Sequence, residues 1–318
     1  MCPMINRILH HFDLRQLADS GQCFRMCPLP GPGQCYTVIS GRHFLVLCQD
    51  GKSVSFSCTE QEFPYWETYF DLQTDYAAFV NAAADDDLYL QKAVRFGSGI
   101  RILRQELWEM IITFLISQQK TIPNIRALVE SLCLHYGNRC PIPEDTAVSF
   151  GLPDSVFYTF PTPDQLSRAS LDDLQELKLG YRAKYIKRVC ESACAGELDL
   201  ALLKELDYPH AMKYLTGFYG IGEKVANCVC LFGLHQIEAF PVDTWIQKIL
   251  LREYAPKTCH SSSVPRSGLC KFLAGEYFSR YQGFAGVMQQ YIFYYERFGA
   301  SDISGNDDGI YCFWQDMT

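Results

Sequence analysis

The chain has 318 residues and a formal net charge of −8, with 48% hydrophobic and 20% charged residues. That composition excludes a disordered or fibrous chain, and the length suits two domains or one elaborate one with a sizeable core. No run reaches the roughly 20 apolar residues that cross a bilayer, and the acidic balance confines any nucleic-acid site to a local patch.

Met1 to Leu14 lacks the basic start, apolar stretch and small-residue cleavage site of a secretory leader, so a soluble, cytosolic chain is expected. The 15 cysteines, an odd total, are scattered from Cys2 to Cys312. Neither a disulfide framework nor the paired spacing of a zinc or iron–sulfur site is expected from them.

Between Cys35 and Cys58 the runs Tyr36–Ser40 and His43–Cys48 flank Gly41-Arg42. A second turn at Asp50-Gly51 leads into the alternating run Ser53–Cys58. This spacing predicts an antiparallel meander. Beyond Phe63-Pro64 the period becomes helical, through Ala77–Ala84 and then an Asp85-Asp86-Asp87 start before Leu88, Leu90 and Val94, where the acidic run serves as an N-terminal cap. Helices are predicted over Leu103–Ile116, Ile125–Leu134, Ser170–Leu177, Ala183–Ala195 and Tyr208–Phe218, with Pro141–Pro163 as a connection. The predicted class is α+β, with an antiparallel sheet domain over 1–95, a mostly α domain over 96–299, and an acidic tail over 300–318.

Chemistry concentrates after Phe218, where a helical run stops at Gly220-Ile221-Gly222 and another starts near Glu223. Glycines flanking an aliphatic residue make a tight hairpin, and amides at a helix N-terminus can hold a phosphate. Alone, that pattern is also an ordinary helix turn. Lys224 stands in the first turn of the second helix, where the dipole disfavours a cation, so it is either solvated or kept for its amine. Asp243, in Phe240-Pro241-Val242-Asp243-Thr244-Trp245, precedes an apolar helical run and is suited to an N-cap. An amine and a carboxylate at the starts of successive helices can face one pocket, as a Schiff-base nucleophile and an anion for a developing cation.

Gly220-Ile221-Gly222-Glu223-Lys224 followed by Pro241-Val242-Asp243 resembles the helix-hairpin-helix, Gly/Pro, Asp superfamily of DNA glycosylases, which act on flipped-out nucleotides. Within it, the chain is most similar to the 8-oxoguanine DNA glycosylase family of bifunctional glycosylase/AP lyases, because further segments agree in order over nearly the whole chain. Ser20-Gly21-Gln22-Cys23-Phe24-Arg25 resembles the family's Gly-Gln-x-Phe-Arg stretch and implies that the Gly21 carbonyl accepts from the N7 hydrogen of 8-oxoguanine, absent in guanine. Leu179-Gly180-Tyr181-Arg182-Ala183 resembles its wedge, with Tyr181 and Arg182 entering the duplex. Lys178, Arg182, Lys184, Lys187 and Arg188, with no acid among them, form a basic patch.

Ala285-Gly286-Val287-Met288-Gln289 resembles the family's Ala-Gly-x-Ala-Gln segment. The resemblance implies Gln289 at the Watson–Crick edge of the base, Phe293 one turn on against one face, Cys228 against the other and Pro241 beside it. It also implies that Gln119 fills the vacated stack, and that Gly220, Gly222, Lys184 and Trp245 contact DNA. Two positions depart from the family: Trp245 stands where His is common, and Asn124 where Arg is common, so Asn124 and Arg182 bear on the opposite base. The implied activity is excision of 8-oxoguanine from duplex DNA, with Lys224 as nucleophile and Asp243 as stabilising anion, followed by β-elimination. No cofactor is required; relatives hold a monovalent cation with hairpin carbonyls, here those of Thr216, Phe218 and Ile221. The expected partner is double-stranded DNA containing 8-oxoguanine, the expected state a monomer without membrane contact, and the location the nucleus or a bacterial cytoplasm. The rivals are a monofunctional alkylbase glycosylase, against which Lys224 speaks, and an idle helix-hairpin-helix DNA-binding module, which would need neither Lys224 nor Asp243.

Overall fold

Short β-rich runs, paired antiparallel, build the first layer. The structure, a computed structural model, describes residues 2–31, 33–258 and 265–299; the predicted acidic tail lies outside the described residues. Strands β1 (Ile5–Ile8), β2 (Met26–Pro28), β3 (Gln34–Ser40), β4 (His43–Asp50) and β5 (Ser53–Phe56) form one sheet in the order β1-β5-β4-β3-β2. β3, β4 and β5 are the predicted meander. Ser40 pairs with His43 and Asp50 with Ser53, so the loops are Gly41-Arg42 and Gly51-Lys52, the second one residue later than expected. The edge strands β1 and β2 were not foreseen, being too short to show a period of two. Register also places Cys35 opposite Cys48, and these two form a disulfide, a correction to the expectation from cysteine spacing. Antiparallel pairing brings together cysteines whose separation in sequence carries no signal.

The buried sheet face, including Val38, Leu45, Leu47 and Phe56, packs on Leu14 and Leu17 of the helix Leu14–Asp19 and on Trp66 and Phe70 from the helix Phe63–Tyr69 and its end. A second, larger core unites the helices from Tyr76 onward. Asp87 caps the helix Leu88–Phe96 by accepting from the Leu90 amide at 3.1 Å, as the acidic run predicts.

The next helix spans Leu107–Ile116 and is buried on every side. It starts four residues later than predicted. The preceding amides bond elsewhere: Leu103 to the Gln22 side chain at 2.8 Å, Arg104 to the Tyr69 carbonyl at 2.9 Å and Gln105 to the Phe232 carbonyl at 3.3 Å. The segment predicted as a bare connection contains the helix Glu144–Phe150, framed by a two-stranded ribbon of Arg139–Pro141 with Val156–Tyr158. Short capped helices at Pro163–Ser167 and Leu200–Glu205 also escaped the sequence reading. Among the described residues, no helix is long and apolar enough to cross a membrane.

The two cores are joined through the Gly21–Arg25 segment. Phe24 belongs to the helical core and meets Phe114 edge-on at 6.1 Å, while the buried Arg25 pairs with Glu130 at 2.7 Å and donates to the Tyr158 carbonyl at 2.6 Å. Nearby, burial pushes the Glu109 carboxyl up to about 7, although the Arg25 guanidinium pulls it down. The folded protein thus holds this proton more tightly than the unfolded chain, whose value is near 4.5. Its contribution to stability is full below about pH 4.5 and is lost as pH rises through about 7. Glu109→Gln is therefore expected to raise stability at pH 8 by on the order of 3 kcal/mol and much less at pH 5. Denaturant unfolding at the two pH values checks this; equal gains at both would show that ionisation of Glu109 is not what costs stability.

Candidate active site

The helices Tyr208–Leu215 and Glu223–Gly233 meet at a hairpin. Gly220 is required at its tip: its φ is +90°, and a Cβ there would stand 2.4 Å from the Tyr185 ring. Ile221 is driven into the core, and its amide donates to the Phe218 carbonyl at 3.1 Å. An anion at this hairpin therefore meets the first-turn amides of the second helix, whose N-cap is Gly222, rather than every amide of the loop.

Lys224 lies in that first turn, half-buried. Its Nζ donates to Ser117 Oγ at 3.0 Å and sits 5.4 Å from the Phe114 ring centroid. Asp243 caps the helix Thr244–Ile249, one carboxylate oxygen accepting from the amides of Trp245 at 3.0 Å and Ile246 at 2.8 Å. Cys228, one turn after Lys224, registers both charges: burial pushes its thiol up to about 11, Lys224 lowers it and Asp243 raises it. The buried thiol therefore feels both the half-buried amine and the half-buried carboxylate, and is protonated at neutral pH.

The third wall comes from the helix Ala285–Tyr294, whose start is docked by the Gly286 amide on the Ile237 carbonyl at 2.8 Å. This sets Gln289, which is 3% exposed, against the loop before Asp243, where its Nε2 donates to the Pro241 carbonyl at 3.2 Å. Its Oε1 accepts from Gln290 at 2.9 Å. Phe293, one turn on, meets the sheet domain: a Cβ built on Gly21 would lie 3.1 Å from its ring, and Gly21 has φ +76°. Only glycine combines that backbone with such close approach. Gly21, more than 200 positions before Cys228 in sequence, is thus brought against Phe293, and Gln289 against the loop that carries Pro241 and Asp243.

Residues 117–124 lie beside the hairpin and Gly21, a Cβ on Gly21 falling 3.3 Å from Ile122. Gln118 Nε2 donates to the Gly220 carbonyl at 3.2 Å, and Gln119, exposed, has φ 53°. Asn124 is exposed on the helix Ile122–Tyr136. Tyr181 projects, 43% exposed, at the start of the helix Arg182–Cys194. Trp245 is also exposed, with the Lys248 ammonium 5.2 Å from its ring centroid.

The basic patch is smaller than its sequence suggested. Arg182 is only 5% exposed; its guanidinium stacks on Tyr181 and donates to the carbonyls of Gln118, Gln119 and Leu179. Lys187 Nζ donates to the carbonyls of Ser167 at 2.7 Å and Ala169 at 2.8 Å. Lys178, Lys184 and Arg188 remain exposed, Arg188 with Glu191 at 3.7 Å. Arg182 and Lys187 are engaged with loop carbonyls, which a count of cations along the chain cannot reveal.

Sequence reasoning missed Ser117, the partner of Lys224, and Arg297. The Arg297 guanidinium lies 5.4 Å from the Phe293 ring centroid, donates to the Asp19 carbonyl at 3.0 Å and feels the charge of Asp243. Its spacing of four from Phe293 was the available signal. Of the carbonyls assigned to a monovalent cation, that of Phe218 already accepts one amide.

Comparisons with known proteins place this geometry. Residues 4–111 match the 8-oxoguanine DNA glycosylase N-terminal domain, and residues 112–268 match the HhH-GPD superfamily of base excision DNA repair proteins. An N-glycosylase/DNA lyase of Saccharomyces cerevisiae is 35% identical over 167 residues, 49% of this chain and 42% of the relative. The N-glycosylase/DNA lyase OGG1 of Arabidopsis thaliana is 32% identical over 218 residues, 64% of this chain and 56% of the relative. The chain thus spans about half the length of these curated relatives. A solved structure of the Clostridium acetobutylicum 8-oxoguanine glycosylase/lyase, in complex with double-stranded DNA containing cytosine opposite 8-oxoG, superposes with a TM-score of 0.80 at 30% identity, covering 94% of this chain and 98% of that one. With two consecutive domain matches and a whole-length structural relative, this chain belongs to the 8-oxoguanine DNA glycosylase family of the HhH-GPD superfamily.

Proposed function

We propose that this protein is a base-excision repair enzyme that removes 8-oxoguanine from duplex DNA and nicks the resulting site. It acts as a monomer inside the cell. The observation that supports the reading is that Lys224 and Asp243 stand in the first turn and at the N-cap of separate helices, both felt by the buried Cys228 thiol, while Gln289 is bonded to the Pro241 carbonyl just before Asp243.

In this reading, the neutral Lys224 amine attacks C1′ of the flipped nucleotide as the bond from C1′ to the base nitrogen breaks. The electron pair of that bond leaves with the base, and Asp243 stabilises the positive charge developing on the sugar. One amine proton neutralises the departing base; the C1′–O4′ bond then breaks, its electron pair and the second amine proton going to O4′, to leave an imine joining Lys224 Nζ to C1′. Loss of a C2′ proton expels the 3′ phosphate and cleaves the strand. Gly21 O and Gln289 read the base, Phe293 and Cys228 enclose its faces and Pro241 lies beside it. Gln119 and Tyr181 occupy the space it vacates, Arg182 holding their loop through the Gln118 and Gln119 carbonyls, while Gly220, Gly222, Lys184 and Trp245 contact the backbone. The carbonyls of Thr216, Phe218 and Ile221 suit a monovalent cation, whose charge would strengthen phosphate binding at the hairpin. The domain division at 95/96 belongs to the same proposal.

Borohydride trapping tests this reading on a duplex bearing a single 8-oxoguanine. Reduction of the imine leaves one protein–DNA cross-link, released on digestion as a peptide containing Lys224. Absence of a cross-link, or a cross-link at another residue, overturns the assignment.

Asn124 adds an expectation about the opposite base. A bidentate Arg contact is worth about 1 to 3 kcal/mol of base discrimination. Asn124 cannot make that fork, and the Arg182 guanidinium is occupied by loop carbonyls. Single-turnover excision opposite adenine, guanine or thymine is therefore expected to fall within about 100-fold of that opposite cytosine, and Asn124→Arg to widen the gap. A rate opposite adenine lower by several orders of magnitude would show that another position decides.

A further inference from the structure

Gly21 surfaces between two residues that are fully buried, Ser20 and Gln22. Every polar atom of the Gln22 side chain is engaged. Its Nε2 donates to Ser20 Oγ at 2.9 Å and to the Arg101 carbonyl at 2.8 Å, and its Oε1 accepts from the Leu103 amide at 2.8 Å. The Gln22 carbonyl accepts from Gln105 Nε2 at 2.8 Å. Just upstream, the Ala18 carbonyl accepts from Arg126 at 2.7 Å and the Asp19 carbonyl from Arg297 at 3.0 Å. The peptide that follows Gly21 and carries its carbonyl is thus fixed on both sides by partners from the helical body.

This arrangement far exceeds what holding a surface loop demands, and it is centred on a glycine whose Cβ, were there one, would lie 3.1 Å from the Phe293 ring. A hydrogen bond weakens steeply as its angle falls toward 120°, so a carbonyl that reads one hydrogen on a base must not swing. Resting on the proposed 8-oxoguanine reading, we infer that Gln22 is a positioning residue for lesion recognition. It aims the Gly21 carbonyl by tying residues 20 and 22 to the segment 101–105, and Gln105 completes the tie. Gln22 does not itself touch the base. Its effect falls on telling 8-oxoguanine from guanine, not on the amine chemistry.

The test compares two activities of one protein: single-turnover release of 8-oxoguanine from a duplex, and strand cleavage at a preformed abasic site, which has no base to read. Gln22→Met removes the side-chain tie; Gln105→Leu removes only the bond to the Gln22 carbonyl and guards against a Gln22 variant that fails to fold. Both are expected to lower base release by about tenfold or more, and to reduce the preference over guanine, while abasic cleavage stays within about twofold. Equal loss of both activities, or no loss of base release, overturns the inference. Failure of the underlying reading is distinguishable, since the parent protein would then neither release 8-oxoguanine nor cross-link with borohydride.

Discussion

Replacing Lys224 by Gln is expected to reduce 8-oxoguanine release by at least about 10³-fold and to abolish borohydride cross-linking, because the variant has no amine to form the C1′ bond. Affinity for the lesion duplex should change little. The amine is half-buried and turned toward Ser117 Oγ at 3.0 Å, while phosphate binding falls to the hairpin amides and to exposed cations such as Lys184. Gln retains a donor for Ser117, so the local fold should persist. Single-turnover kinetics and equilibrium binding on the same duplex separate the two effects. A variant that still cross-links would remove Lys224 from the mechanism.

The second large effect is expected at Asp243, where cap and charge can be separated. Asn caps helices about as well as Asp, and its side-chain oxygen can accept from the Trp245 and Ile246 amides as the carboxylate does. Asp243→Asn should therefore melt at nearly the parent temperature, yet excise 8-oxoguanine about 10²- to 10³-fold more slowly, the usual cost of losing one electrostatic stabiliser of a transition state. Asp243→Ala adds the loss of the cap, about 1 kcal/mol of stability. If Asp243→Asn matched the parent in rate, the residue would be a cap alone.

Much of the architecture was legible in local pattern. β-rich runs over Tyr36–Ser40 and His43–Cys48 and alternation over Ser53–Cys58 mark β3, β4 and β5; β3 and β5 bury one face, whereas β4 buries Leu45, Val46 and Leu47 in succession. The Asp85-Asp86-Asp87 start marks a helix because the Asp87 carboxylate meets an otherwise unpaired amide within the next turn. The start of the helix at Leu107 was not legible, since the amides of residues 103–105 are bonded to partners distant in sequence. Apolar periodicity continues through such a segment while its backbone does not. The edge strands, the Arg139–Pro141 ribbon and the Cys35–Cys48 bond were hidden for the same reason: pairing chooses them, not composition.

The candidate site divides along this line. Gly220, Gly222, Lys224 and Asp243 could be singled out from sequence because a hairpin, a first-turn cation and an N-cap are local features, each set within a few residues by backbone sterics and the helix dipole. Gly21, Gln289 and Phe293 were reached only through resemblance, since nothing local distinguishes them from loop and core residues. Only the tertiary structure decided that Gly21 lies against Phe293, that Gln289 holds the Pro241 carbonyl and that Cys228 feels both charges. It likewise decided that Arg182 and Lys187, cations by sequence, are spent on loop carbonyls instead of standing free in the patch. Local sterics and dipoles act over a few residues and are written in the sequence. Which carbonyl a buried donor satisfies depends on which segments packing brings together, and that is settled only when the chain closes on itself.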